Sequence, residues 1–306
     1  MLLIPYKINL KLNNRPVVTY VVIVLCLMVF ALQLINRENV NSAVLDYCQT
    51  LNNGASLEHE PLDVLLLSVS QCATLIKSFN SVGGIERMHN EFMTIANENK
   101  EGFTQAEIVK YTRLIQTHYT EYLSVAPIDF EQQFVYLPDT FNPLRSLTSQ
   151  FLHDGWLHLI GNLIFFLAFA SAIECFVANA YRFTLLLIAI ALCCSVANSV
   201  AALLTEWNAP SMGLSGVVMG MIGTSAAMMP KVQMRTLLLF LWRISVPVWV
   251  LAIWFVGWDF WSVVNTGDSS TRLSLVTHLA GGITGYLIGY LWCKRQPDIT
   301  LTNTPI

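Results

Sequence analysis

Apolar residues gather into long runs along this chain, while most of its charged residues crowd between the first run and the second. Val17 to Ile35 contains no charged side chain. At about 1.5 Å per residue, such a run is long enough to cross the core of a bilayer as a helix. Further runs lie at about 156–177, 182–204, 213–229, 245–264 and 275–293. The pattern predicts six membrane-spanning helices. Lys7, Lys11 and Arg15 precede the first run, as they would in a secretory signal. The run exceeds the roughly 7–15 residues of such a signal and no small-x-small site follows, so it reads as an uncleaved helix. Thr236 to Trp242 is also apolar, but Arg243 and Pro247 follow closely. Including it in the fifth span would bury Arg243, so it is assigned to the cytoplasmic interface.

The stretch between the first two spans has a different character. Residues 37–147 carry 14 of the 20 acidic side chains and 7 of the 17 basic ones, a local net charge of -7. Thr104-Gln105-Ala106-Glu107 has capping-box spacing, and Ile108, Tyr111, Leu114, Ile115, Tyr119 and Tyr122 recur at helical period. An apolar run from Leu57 to Leu75 predicts another helix, Gly83-Gly84 a break, and Pro127, Pro138 and Pro143 an extended return to the membrane. The fold class is therefore an all-α membrane protein, a six-helix bundle with a helical extramembrane domain inserted between helices 1 and 2. Its parts are 1–36 (amino terminus and helix 1), 37–147 (insertion and loop), 148–295 (helices 2–6) and 296–306 (tail).

Charge also orients the chain. With an inner amino terminus, Lys7, Lys11, Arg15, Arg182, Lys231, Arg235, Arg243, Lys294 and Arg295 all fall inside, and Arg272 alone outside the insertion falls outside. This is a strong positive-inside bias. Both termini are then cytoplasmic and the insertion is on the outer face, as in a bacterial inner membrane. There Cys48 and Cys72 meet an oxidising compartment, where a disulfide and two buried thiols are both open. Only 12% of residues are charged against a usual ~25%. The net charge of -3 gives no argument for a nucleic-acid partner. The other cysteines fit no zinc spacing, Glu58-His59-Glu60 reads as a solvated face, and no metal, cofactor or phosphate motif is present.

Against that background a few polar side chains stand out, because such groups are costly within a membrane. Ser215 opens the fourth span between Gly213 and Gly216. Gly216, Gly220 and Gly223 continue at small-residue spacing, and Gly281, Gly285 and Gly289 repeat along the sixth. Small-residue stripes let helices pack closely. His278 lies three residues before Gly281, so packing of the stripes brings it to Ser215, where imidazole could take the hydroxyl proton. On the second span, His158 and Asn162 share a face and could donate to an oxyanion. Ser211 and Ser225 read as ordinary helical serines bonded one turn back. Asp259 and Asp268 lie on the right side of the membrane, but no spacing ties them to His278, which leaves a Ser–His dyad.

The runs His153-Asp154-Gly155-Trp156-Leu157-His158-Leu159-Ile160-Gly161-Asn162, Gly213-Leu214-Ser215-Gly216 and His278-Leu279-Ala280-Gly281, in this order on spans two, four and six, resemble the rhomboid family of intramembrane serine proteases. The resemblance covers about residues 145–293. It implies cleavage of single-pass membrane proteins in or near their spanning segment, within membrane lipid. It also implies Ser215 as nucleophile, His278 as base, and His158 and Asn162 as oxyanion donors. Glu174 occupies a family position with a structural role. One departure is Met219, where many bacterial members stack a tyrosine on the base. The alternative reading is a non-catalytic relative that binds client membrane proteins, although such relatives usually lack the serine or histidine. A transporter would need broken helices near the midplane, which these spans do not offer.

Overall fold

A computed structural model describes residues 3–8, 15–52, 68–79, 92–94, 104–205, 209–238, 242–266 and 269–295. The chain divides into two compact units, residues 32–133 and residues 1–31 with 134–306. Glu58-His59-Glu60, Gly83-Gly84, Asp268 and the 296–306 tail lie outside the described residues.

The 32–133 unit is built on the polar half of α1 (Val17–Asn52), which runs on well beyond the apolar stretch. Val44, Cys48 and Leu51 share one helical face and bury against Cys72, Leu75 and Ile76 of α2 (Val69–Phe79) and Ile115 and Tyr122 of α3 (Gln105–Val125). Helix α3 begins directly after Thr104, as the capping spacing predicts. Helix α2 begins at Val69; residues 57–67 of the expected helix lie outside the described residues. Cys48 and Cys72 are joined by a disulfide between α1 and α2. Arg37 pairs with Glu131 at 2.6 Å, and the Phe130 backbone N–H donates to Asn36 Oδ1 at 2.8 Å, which ties α4 (Phe130–Phe134) back onto α1.

In the other unit, a short α5 (Pro143–Thr148) leads into α6 (Trp156–Val177), α7 (Ala180–Leu204), α8 (Ser215–Met228), α9 (Val248–Thr266) and α10 (Ser269–Arg295). By length and composition α1, α6, α7 and α9 can cross a membrane, and α8 is a shorter apolar helix of 14 residues. Phe166, Phe169, Ile173, Phe183, Ile190 and Met221 form its fully buried centre. Glu174 has a specific structural task. Its carboxylate accepts from the N–H groups of Val18 and Thr19, each at 2.8 Å, and from Thr19 Oγ1 at 2.7 Å. An anion at a helix start satisfies donors that have no acceptor of their own and matches the helix dipole.

The all-α expectation is corrected by a small antiparallel sheet of β1 (Leu3–Ile8), β2 (Gln233–Leu238) and β3 (Trp242–Pro247), in that order. The described part of the 236–242 segment is strand rather than span, with 236–238 on β2 and Trp242 opening β3; residues 239–241 lie outside the described residues. Val232 and Met234 are buried while Gln233 and Arg235 are exposed, the alternation of a half-buried strand. That period spans too few residues to stand out beside long apolar runs. Pro5 is tolerated because β1 is an edge strand.

Candidate active site

The two glycine stripes pack on each other as their spacing predicts. A Cβ added to Gly281 would strike the carbonyl of Gly216, one on Gly285 the carbonyl of Gly220, and one on Gly223 the carbonyl of Gly282. Helices α8 and α10 therefore meet backbone to backbone. Gly216 also faces Thr277, whose Cγ2 lies 2.7 Å from where a Cβ would stand, and Cys194 of α7 lines the same contact. Ser215 and His278 each lie one residue from this Gly216–Thr277 contact.

Ser215 is the first residue of α8, so its N–H has no acceptor within the helix. The turn before it depends on Gly213, whose φ of 106° belongs to the left-handed half of backbone space. A Cβ on Gly213 would also lie 2.7 Å from His158 Cε1 and 3.4 Å from Asn162 Nδ2. The turn before Ser215 is thus seated directly on the His158–Asn162 face of α6. Among the described residues, Asn162 Nδ2 and His278 Nε2 are buried without a hydrogen-bond partner. No hydrogen bond therefore joins Ser215 to His278 Nε2.

Two cavities flank this contact. Gln150, Asp154, His158, Asn198, Ser215 and Thr277 are among the residues lining a polar cavity of about 280 Å³. On the other side, Met219 and His278 line an apolar cleft of about 960 Å³ bounded by α8, α9 and α10, with Trp249, Val256, Phe260, Ile283 and Tyr286 among its walls. Just before α6, His153 is buried with its Nδ1 3.1 Å from the Phe151 carbonyl, and its ring stands edge-on to His158 at 5.2 Å. Burial, followed by the neighbouring His158, lowers its pKa to about 4.

Other residues support the site without having been expected from the sequence. Tyr136 and Ser211 pair through their backbones, and Gly213 N–H donates to the Ser149 carbonyl at 2.9 Å, which fixes the loop before Ser215. Asn198 of α7 donates to Ser211 Oγ at 3.3 Å and accepts from Thr277 Oγ1 at 2.9 Å, tying that loop to the residue before His278. Asn198 carries the same signal as Asn162, an amide within an apolar span. Ser211 is therefore a bridging residue of the loop and not a helical serine bonded one turn back. Ser225 departs from that reading as well, since its Oγ is buried with no partner among the described residues.

The largest departure concerns His278. The sequence spacing ties no acid to it, yet Asp259 of α9 brings Oδ2 to 2.8 Å from His278 Nδ1. Nineteen residues separate the two in sequence, and the packing of α9 against α10 brings them together. No group of three or more His, Cys, Asp or Glu side chains able to hold a metal occurs among the described residues.

In this helical membrane protein an apolar helix that opens at a serine packs against a helix that carries a histidine, and the turn before the serine sits on an amide with no partner. The rhomboid-domain family profile matches residues 141–295, just over half of the 306-residue chain. The chain belongs to the rhomboid family. Comparison with curated proteins finds no match.

Proposed function

We propose that this protein is an intramembrane serine endopeptidase that cleaves single-pass membrane proteins in or near their spanning segment. The observation that carries this reading is the backbone contact of Gly216 with Gly281, which packs the helix opening at Ser215 against the helix of His278, with Gly213 seated on the His158–Asn162 face. Helix α8 is about 21 Å long at roughly 1.5 Å per residue, shorter than a hydrocarbon core of about 30 Å. Its start would therefore lie below the membrane surface. The polar cavity then serves as the path for water, and the apolar cleft accommodates hydrophobic substrate.

The chemistry follows from the atoms. Ser215 Oγ bonds to the scissile carbonyl carbon while its proton passes to His278 Nε2. Negative charge on the carbonyl oxygen is met by the Ser215 N–H, Asn162 Nδ2 and His158, donors already in place before the charge appears. As the carbon–nitrogen bond breaks, His278 returns the proton to the leaving amine. Water from the polar cavity then hydrolyses the acyl-enzyme by the same steps with water as nucleophile. A helical substrate keeps its backbone groups bonded internally in lipid, so it must unwind locally before Ser215 can reach a carbonyl.

The orientation proposed has both termini cytoplasmic and the 32–133 unit outside, supported by the basic-residue bias and the Cys48–Cys72 disulfide. The function is tested with purified protein in lipid against a panel of fluorescent single-span substrates. Wild type cleaves, and Ser215→Ala and His278→Ala do not. Substrate binding without cleavage, with no labelling of Ser215 by a fluorophosphonate, would instead identify a non-catalytic client-binding relative.

A further inference from the structure

Val248, Leu251 and Phe255 form the buried row of α9, each no more than 4% exposed. Asp259, four residues past Phe255, is the next position of that row. A carboxylate on the inward face of an apolar helix is costly unless it is paired. Here the pairing is specific: Oδ2 lies 2.8 Å from His278 Nδ1, with the two side chains only 19% and 16% exposed. Among the described residues Asp259 makes no other ion pair or side-chain hydrogen bond. The second ring nitrogen of His278 is buried and has no partner.

We infer that Asp259 is a positioning residue for His278, so that the site works as a triad drawn from α8, α9 and α10. This rests on the reading of Ser215 as nucleophile and His278 as its base. An ionised carboxylate can only accept, so the hydrogen bond requires the proton on Nδ1. The lone pair is then on Nε2, the nitrogen facing no other partner and the one free to take a proton from Ser215. During attack that proton moves to Nε2 while the Nδ1 proton stays on the ring. The imidazolium forms beside a carboxylate that remains ionised throughout. Departure of the amine removes the Nε2 proton and restores the starting state. Because acid and base sit on different helices, the placement of α9 against α10 sets the tautomer of the base.

The test separates positioning from simple structural pairing. Asp259→Asn has nearly the shape of the aspartate, but its amide can donate to Nδ1 and hold the ring proton on Nε2, where it blocks base function. A structural contact would tolerate Asn best and Ala worst. A positioning contact reverses that order. In full-length protein in lipid, Asp259→Asn should lower kcat by about 10²–10⁴ with KM little changed, at least as severely as Asp259→Ala. Asp259→Glu should recover part of the loss. Nitrogen-15 NMR of labelled histidine, with His278 assigned by difference against His278→Gln, should find the proton on Nδ1 in wild type and on Nε2 in Asp259→Asn. A cleaving wild type whose Asp259→Asn variant stays within about threefold of it, or a wild-type His278 protonated on Nε2, overturns this inference alone. A wild type with no cleavage and an unreactive Ser215 overturns the protease reading, and the positioning role of Asp259 with it.

Discussion

The carbonyl of Gly216 occupies the space where a side chain on Gly281 would begin, and this contact sets the distance between the helix of Ser215 and that of His278. The Gly220 carbonyl meets Gly285 in the same way one turn deeper. Any Cβ at Gly281 or Gly285 must push backbone aside. Gly285→Ala is expected to lower stability by about 1–3 kcal/mol, the usual cost of overpacking. It should also slow fluorophosphonate labelling of Ser215. Gly257→Ala is the control, because nothing lies within 4 Å of its Cβ position. Thermal unfolding in detergent with parallel labelling measures both.

Glu174 holds the start of α1 through three hydrogen bonds. Glu174→Ala leaves those donors without an acceptor and should cost roughly 2–4 kcal/mol. Glu174→Gln keeps one acceptor oxygen and should cost less. Neither contact touches Ser215, so folded protein of either variant should keep its labelling rate. Denaturant titration combined with labelling of the folded fraction checks both statements.

The His158–Asn162 face acts, in this reading, on charge present only in the transition state. His158→Ala and Asn162→Ala should each lower kcat by about 10²–10³ and leave KM nearly unchanged. A rise in KM with kcat unchanged would make these residues ground-state binding groups instead.

Orientation can be tested with single cysteines in a background lacking the free thiols. Gln116→Cys, exposed on α3, should react with an impermeant maleimide in intact cells, and Lys294→Cys at the end of α10 should not. The reverse pattern would invert the topology.

His153 makes stability depend on pH. Its folded pKa is lowered from 6.5 to about 4, chiefly by burial. The unfolded chain therefore binds this proton first as pH falls. The neutral form's full contribution is present above about 6.5 and is lost progressively as pH falls toward 4. His153→Gln should flatten this part of the stability curve, as followed by thermal unfolding between those two pH values.

Much of this was legible in the chain itself. Helix α6 runs from Trp156 to Val177, the bounds that hydropathy alone predicts, because a run of that length in lipid has only the helix as a way to satisfy its backbone. The glycine spacing on α8 and α10 foretold their contact, since small residues four apart form a groove whatever the rest of the fold does. Local pattern also marked 37–147 as a polar stretch, while the compact unit of the structure spans residues 32–133. What tertiary structure alone decided is long-range pairing. Asp259 has no local spacing to His278, and only the packing of α9 against α10 brings a carboxylate to Nδ1. The β1–β2 pairing joins residues more than 200 apart, from strands too short to register against the membrane spans. Asn198 gained its place through Ser211 and Thr277, one on a loop and the other on α10. Periodicity reports the face a residue occupies, and the partner that meets that face depends on how distant helices close against each other.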